Sequence, residues 1–336
     1  MDSVLVVGGG SWGTAFADYL ARRGMRTCLW AREEEVLAAI RSGRENRLFL
    51  PGVRLDERLD VSADLEGEAG RAGLWVLAVP SKFMRSVLER LGGGRRGEPV
   101  LVNLSKGFEA DSLKTMSQVA ADVLGAGVAA RWLTLSGPSF ARELAAGHPT
   151  AVVAAGADDG LLGRVQEGFS SPTLRVYRST DLRGLEVAGS LKNVMAIASG
   201  MINGLGFGYN TTASMVTRAN MEISRLGVRL GGRPETFWGL AGVGDLMLTC
   251  FGTLSRNFQL GRRIALGETL AGVERSTPMV AEGVETAKAV RRLAAQLDIE
   301  MPVASAVHRV LFEGQDAGAA VAGLMTRSLK SEWTTS

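Results

Sequence analysis

The sequence predicts a doubly wound parallel α/β sheet over residues 1–180, followed by a mostly α-helical unit over residues 181–336. Three observations carry this. Short apolar, β-branched runs recur through the first half and alternate with segments of helical spacing, the pattern of a parallel sheet wrapped by helices. After about Thr180 the strand signals stop and long helical periodicities take over. Directly after the first apolar run stands Gly8-Gly9-Gly10-Ser11-Trp12-Gly13, a glycine-spaced turn that opens a helix.

Val4-Leu5-Val6-Val7 is continuously apolar, as a strand buried on both faces requires. From Thr14 the pattern turns helical, with Ala15, Phe16, Tyr19 and Leu20 on one face. Gly8, Gly10 and Gly13 fit G-x-G-x-x-G. The first glycine allows the tight turn, the second lets a pyrophosphate approach the backbone, and the third lets the helix pack on the strand. Free N–H groups at the helix start then face the phosphates. A strand before and a helix after distinguish this Rossmann-type site from a glycine-rich turn without a ligand.

The second strand, Thr27 to Trp30, is followed by Ala31-Arg32 and not by the acid that holds a ribose 2′-hydroxyl in NAD. A guanidinium there suits the 2′-phosphate of NADP; the alternative is a solvated surface arginine. Glu33, Glu34 and Glu35 follow and begin a helix, where acids are favoured in the first turn. After a loop, Asn46 to Gly52, strands are expected at 74–79, 100–104, 132–135, 150–154 and 174–177. Ligands of such sheets sit beyond the carboxyl ends of the strands. The loops carrying Gly10, Pro80, Lys106 and Ser139 should therefore converge on one crevice. Helices are expected over 182–205, 211–226, 284–297 and 303–312.

Thirty-eight basic and 35 acidic residues leave a net charge of +3, too mild for a nucleic-acid or membrane surface. Cys28 and Cys250 make no disulfide framework, and His148 and His308 show no metal-ligand spacing, so no metal is expected. Cys28 falls in a predicted strand and reads as core. No basic leader precedes the first strand and no apolar run is long enough to span a bilayer. The expectation is a soluble, reduced, cytoplasmic protein.

Hydride exchange with a carbon bearing oxygen needs a positioned acid/base. Lys192 lies in the apolar run Val187 to Ala198, where burial lowers a lysine's pKa toward working pH. The alternative is a lysine snorkelling at a helix end. Gly239-Leu240-Ala241-Gly242-Val243-Gly244-Asp245 brings a single carboxylate to an apolar stretch, as a hydroxyl or ammonium partner or as a helix N-cap. Ser255-Arg256-Asn257 combines a guanidinium with hydroxyl and amide donors, which suits a phosphate monoester; the alternative is a cap and a solvated arginine. Lys106, at a strand end, adds a second positive charge near the substrate.

These motifs, in this order, resemble the bacterial-type NAD(P)-dependent glycerol-3-phosphate dehydrogenase family over nearly the full length. The segments that carry the resemblance are GGGSWGTAFA, NRLFLPG, NLSKGFE, SGPSFARELA, GSLKNVMAIASGMINGLGFGYNT, TFWGLAGVGDLMLTC, LSRNFQLG and VAEGVETA. The resemblance implies a 6-phosphogluconate dehydrogenase-like architecture and reduction of dihydroxyacetone phosphate to sn-glycerol 3-phosphate for phospholipid synthesis. It implies cofactor contacts at Ser11, Trp12, Arg32, Lys106, Ala141, Arg256, Val280 and Glu282, beside Gly8, Gly10 and Gly13. It implies substrate contacts at Lys106, Gly137, Ser139, Lys192, Asp245, Ser255, Arg256 and Asn257, with Lys192 as proton donor and acceptor. It also implies a homodimer.

The chain departs from the family pattern at Ser190, at Tyr209 where many members carry an acid, and at Glu33 where many carry a second base. Glu33 opposes a 2′-phosphate by like-charge repulsion, against the NADP preference that Arg32 suggests. Two other readings remain distinct. One is a related two-domain dehydrogenase of another hydroxy substrate, such as a hydroxy acid or a sugar nucleotide; a sugar-nucleotide oxidiser needs a cysteine nucleophile, for which Cys250 is the candidate. A non-catalytic NADP sensor leaves Lys192, Asp245 and Arg256 without a task.

Overall fold

A computed structural model describes residues 3–277, 281–329 and 331–332. Its first half is built on eight strands: β1 (Ser3–Val7), β2 (Arg26–Trp30), β3 (Asp60–Ser62), β4 (Leu74–Leu77), β5 (Val100–Asn103), β6 (Trp132–Ser136), β7 (Thr150–Gly156) and β8 (Leu174–Ser179). They form one sheet in the order β3-β2-β1-β4-β5-β6-β7-β8. Alternation along β1 explains its unbroken apolar sequence. Val4 and Val6 pack with Phe16 and Leu20 on one face, and Leu5 and Val7 pack with Trp75 and Leu77 on the other.

From β1 the chain proceeds to β2 and β3 on one side and to β4, β5 and β6 on the other. The order reverses at β1, and the crevice opens beyond the carboxyl ends of β1 and β4. β3 was not foreseen; three residues, Asp60, Val61 and Ser62, are too few and too polar to show a period.

The doubly wound, parallel-dominated sheet has one antiparallel pairing, at β7. This strand runs antiparallel to β6, with Ser136 opposite Val153 and Leu133 opposite Gly156, while β8 is again parallel to β7. The segment between β6 and β7 does not recross the sheet. Its one helix, Ala141–Ala145, packs against the helix Ser11–Arg22, so the chain re-enters the sheet from the same end.

The helical half is organised around Leu182–Gly204, which is buried from Gly184 to Ile202. A helix apolar on every side must be surrounded. Tyr209–Arg229, Asp245–Phe251, Arg256–Ala265, Gly283–Leu297 and Pro302–Phe312 enclose it. The helix Arg256–Ala265 crosses it at glycines. A Cβ on Gly200 would stand 2.0 Å from the Phe258 carbonyl oxygen, and one on Gly261 would stand 2.0 Å from that of Ile197.

Glu186 pins the central helix to the sheet. Its buried carboxylate accepts from Ser117 N (3.0 Å), Ser117 Oγ (2.6 Å), Trp132 Nε1 (3.3 Å) and Thr134 Oγ1 (3.1 Å). Three donors converge on Oε1 and one on Oε2, so both oxygens are hydrogen-bonded and the cost of burial is offset. Among the described residues no helix is long and apolar enough to cross a membrane.

Candidate active site

The glycine loop follows β1 directly. Gly8 has φ +124°, and a Cβ there would lie 2.6 Å from the Ala78 carbonyl oxygen. A Cβ on Gly13 would lie 2.0 Å from the Gly8 carbonyl oxygen, so the helix Ser11–Arg22 can pack here only because that position is bare. A Cβ on Gly10 would meet nothing within 4 Å, so its backbone faces open space. No side chain caps this helix and no acid stands in its first turn. A helix start with uncapped N–H groups beside an open backbone fits a dinucleotide pyrophosphate. Asn46 braces the loop, donating to Gly9 O (2.7 Å) and Thr14 Oγ1 (2.8 Å) and accepting from Phe49 N (3.1 Å). Ser11 Oγ donates to Phe49 O at 2.6 Å.

A cleft of about 290 Å³ opens between the strand ends and the helices. It is lined by Ser11, Trp12, Lys106, Ser139, Ala141, Lys192, Ser255, Arg256, Asn257 and Glu282, and by Leu48 to Pro51. Residues from seven separate sequence motifs therefore meet at one place.

Asp245 lies beneath this cleft and binds both lysines. Its Oδ1 is 2.7 Å from Lys192 Nζ and its Oδ2 is 2.6 Å from Lys106 Nζ. Ser136 Oγ donates to Oδ2 at 3.4 Å. Lys192 Nζ also donates to Thr249 Oγ1 at 2.7 Å, and that hydroxyl donates in turn to Asp245 O at 2.6 Å. An ammonium has three N–H groups. Two are committed here, which leaves the third for the cleft that Lys192 lines.

Lys192 sits in mid-helix and is 7 % exposed, so the snorkelling alternative does not hold. Asp245 starts its helix but caps nothing; its oxygens are spent on the lysines. A π-helical turn, Leu240–Gly244, delivers it. Gly242 lets that turn lie against the Phe237 backbone, where a Cβ would be 2.3 Å from oxygen.

Burial pulls the Lys192 ammonium down to about 8; Asp245 resists this and Lys106 adds to it. Burial pushes the Asp245 carboxyl up, yet Lys106 and Lys192 together outweigh it and hold the group below its ordinary value. Burial raises Glu282, with Arg256, Lys106 and Lys192 opposing.

Arg256 begins the helix Arg256–Ala265, whose first turn holds no acid. Ser255 is both a cleft residue and the helix cap, its Oγ accepting from Phe258 N at 3.2 Å. Asn257 donates to Asn193 Oδ1 (3.0 Å) and accepts from Gly283 N (3.0 Å). A helix start with a guanidinium at its first position is a ready site for a phosphate.

Two expected residues lie elsewhere. Gly137 does not line the cleft. Its φ of +146° brings the chain against β7, where a Cβ would be 2.9 Å from Val152 Cα. Arg32 stands at the end of β2, outside the cleft lining and 69 % exposed, paired with Glu33 at 3.1 Å. Val280 lies outside the described residues.

Sequence reasoning missed Thr249, Asn193 and Ser136. Thr249 could have been found from its i+4 spacing to Asp245, which puts both on one helix face. Cys28 is only half-buried, against the expectation of a core residue, and burial with the carboxylates of Glu68 and Asp60 pushes its thiol up to about 12.

The description "NAD-dependent glycerol-3-phosphate dehydrogenase N-terminus" fits residues 3–161, and the corresponding C-terminus description fits residues 181–322. The glycerol-3-phosphate dehydrogenase [NAD(P)+] of Geobacter sulfurreducens is 49 % identical over 327 residues, covering 97 % of this chain and 98 % of that protein. The crystal structure of glycerol-3-phosphate dehydrogenase from Coxiella burnetii superposes with TM-score 0.92 at 33 % identity, over 97 % of this chain and 99 % of its own. A ketopantoate reductase of Ralstonia eutropha, 16 % identical with TM-score 0.59 over 97 % of this chain and 100 % of its own, shares the fold alone. With both halves matched and a relative at nearly half identity end to end, the chain belongs to the NAD-dependent glycerol-3-phosphate dehydrogenase family.

Proposed function

We propose that this protein is an NAD(P)-dependent sn-glycerol-3-phosphate dehydrogenase that reduces dihydroxyacetone phosphate to sn-glycerol 3-phosphate. Residues 1–180 bind the dinucleotide and residues 181–336 the substrate. The observation that carries the reading is Lys192. It is a buried ammonium held by Asp245 and Thr249, with one N–H left for the cleft and a phosphate-suited helix start on the same wall.

Gly8, Gly10, Ser11, Trp12 and Gly13 receive the pyrophosphate, and Arg32 the adenosine ribose. Lys106, Ala141, Arg256, Val280 and Glu282 hold the rest of the dinucleotide. Arg256, Asn257 and Ser255 grip the substrate phosphate. Ser139, Gly137 and Lys106 position its other end, with Gly137 acting through the backbone turn that presents Ser139. A bound reduced nicotinamide supplies the hydride that the ketone carbon takes up. Lys192 donates its third N–H to the ketone oxygen, stabilises the charge that grows there and then gives it the proton. Asp245 keeps the ammonium aimed and charged until the transfer, and Lys106 shares that carboxylate so that both lysines stay in place.

The sugar-nucleotide alternative loses its nucleophile. Cys250 is fully buried and burial pushes its thiol up to about 12, far from the thiolate such chemistry needs. A mere sensor has no use for a Lys–Asp–Lys cluster at the cleft.

We also propose a homodimer, supported by Trp238, Met247 and Phe251, large apolar side chains that the helical half leaves exposed. Sedimentation should then give twice the 35.6 kDa chain mass. A cytoplasmic location is supported by two unpaired cysteines.

The test of the reaction is the loss of reduced-nicotinamide absorbance on adding dihydroxyacetone phosphate, run with NADPH and NADH in parallel. Turnover with either supports the assignment. Folded protein that binds cofactor but turns over with neither sinks it.

A further inference from the structure

The end of β2 carries a cation and an anion side by side. Arg32 bonds Glu33 Oε1 at 3.1 Å. A phosphate brought to this strand end meets a guanidinium already shared with a carboxylate, and a carboxylate that repels it. A second cation stands on the opposite side of β1. The chain leaving β4 forms a short turn, Ser81–Phe83, in which Lys82 and Phe83 are exposed. β2 and β4 flank β1, so Arg32 and this turn straddle the strand that feeds the Gly8 to Gly10 loop. Phe83 joins them: Arg32 Cζ lies 5.6 Å, and Lys82 Nζ 4.9 Å, from the centroid of its ring. Unlike Arg32, Lys82 has no carboxylate partner among the described residues.

We propose that Lys82 is the second cation of the 2′-phosphate subsite and sets the preference of this protein for NADP over NAD. The inference rests on the dehydrogenase reading. Arg32, Glu33 and Lys82 together carry one net positive charge; without Lys82 they carry none. The Phe83 face holds both cations at the rim, so neither has to be gathered from solvent when a phosphate arrives. The 2′-hydroxyl of NAD is neutral and gains nothing from Lys82, while Glu33 can accept a hydrogen bond from it. Lys82 therefore acts on one cofactor and not on the other.

The test is Lys82→Gln in the full chain, a change at an exposed side chain that spares the core. NADPH and NADH are titrated by nucleotide fluorescence, and 2′,5′-ADP and 5′-AMP are used as competitors. The Kd for NADPH should rise about fivefold to tenfold and that for NADH should stay within about twofold, a charge contact of about one power of ten or less. The affinity for 2′,5′-ADP should fall by the same factor, and that for 5′-AMP should not. Equal shifts for both dinucleotides, or an unchanged NADPH affinity, overturn the assignment of Lys82 alone. Wild-type protein that binds neither dinucleotide overturns the dehydrogenase reading and this assignment with it.

Discussion

Replacing Lys192 by alanine is expected to lower kcat for dihydroxyacetone phosphate reduction by about 10³-fold or more, with the Kd for NADPH within about twofold of wild type. The expectation follows from what the side chain does. Its ammonium is 7 % exposed, and two of its N–H groups are held by Asp245 and Thr249. Alanine removes the proton donor and the positive charge that meets the growing oxyanion. It touches neither the glycine loop nor the end of β2, so cofactor affinity is preserved. Lys192→Arg is the sharper control. Arginine keeps the charge but does not release a proton near neutral pH, so it should recover substrate binding without recovering turnover. Near-normal turnover in Lys192→Ala contradicts the assignment.

Asp245→Asn is expected to produce the second-largest loss. Asp245 is 1 % exposed and is the carboxylate that Lys106 and Lys192 share. Asparagine leaves the buried Lys192 ammonium and the partly buried Lys106 ammonium side by side without the carboxylate they share, a change of the kind that costs about 3–5 kcal/mol in stability. In wild type, Asp245 holds the Lys192 pKa up at about 8 against burial and Lys106. Without it only the weaker pull of Glu282 opposes them and the pKa falls further. In the reducing direction the ammonium is the working form, so activity is full below the pKa and is lost as pH rises through it. The variant should therefore lose activity at a lower pH than wild type, with kcat at neutral pH down by about 10²-fold. A limb that stays in place, or moves to higher pH, contradicts the coupling. Thermal denaturation beside the pH profile separates loss of fold from loss of proton transfer.

What the sequence made legible is what is written locally. The apolar run Val4 to Val7 followed by spaced glycines specifies strand, turn and helix within a few residues; Gly8 and Gly13 have steric reasons in the structure, and Gly10 leaves its backbone open. A lysine amid Val187 to Ala198 signals its own burial, since nothing in that run offers it solvent. The partners of these residues are not written locally. Lys106 and Asp245 are 139 residues apart and meet only through the packing of the two halves. Glu186 is a single acid in an apolar helix, and its four donors come from residues 52 to 69 positions away. The reversal of β7 was hidden because the segment after β6 is long enough for a crossover and merely folds back. Gly137 sits in a motif that suggests a ligand contact, yet its bare Cα is needed for the approach to Val152. Lys82 gives no signal in sequence at all, because its link to Arg32 runs through one aromatic ring.

The most direct measurement of the central claim, that Lys192 is the group that moves the proton, is kcat of the wild-type protein against pH in both directions of the reaction. Reduction needs the ammonium and oxidation needs the free amine. The reduction rate should fall, and the oxidation rate should rise, as pH increases through about 8. Rates that change in the same sense in both directions, or a reduction rate that climbs through that region, contradict the account.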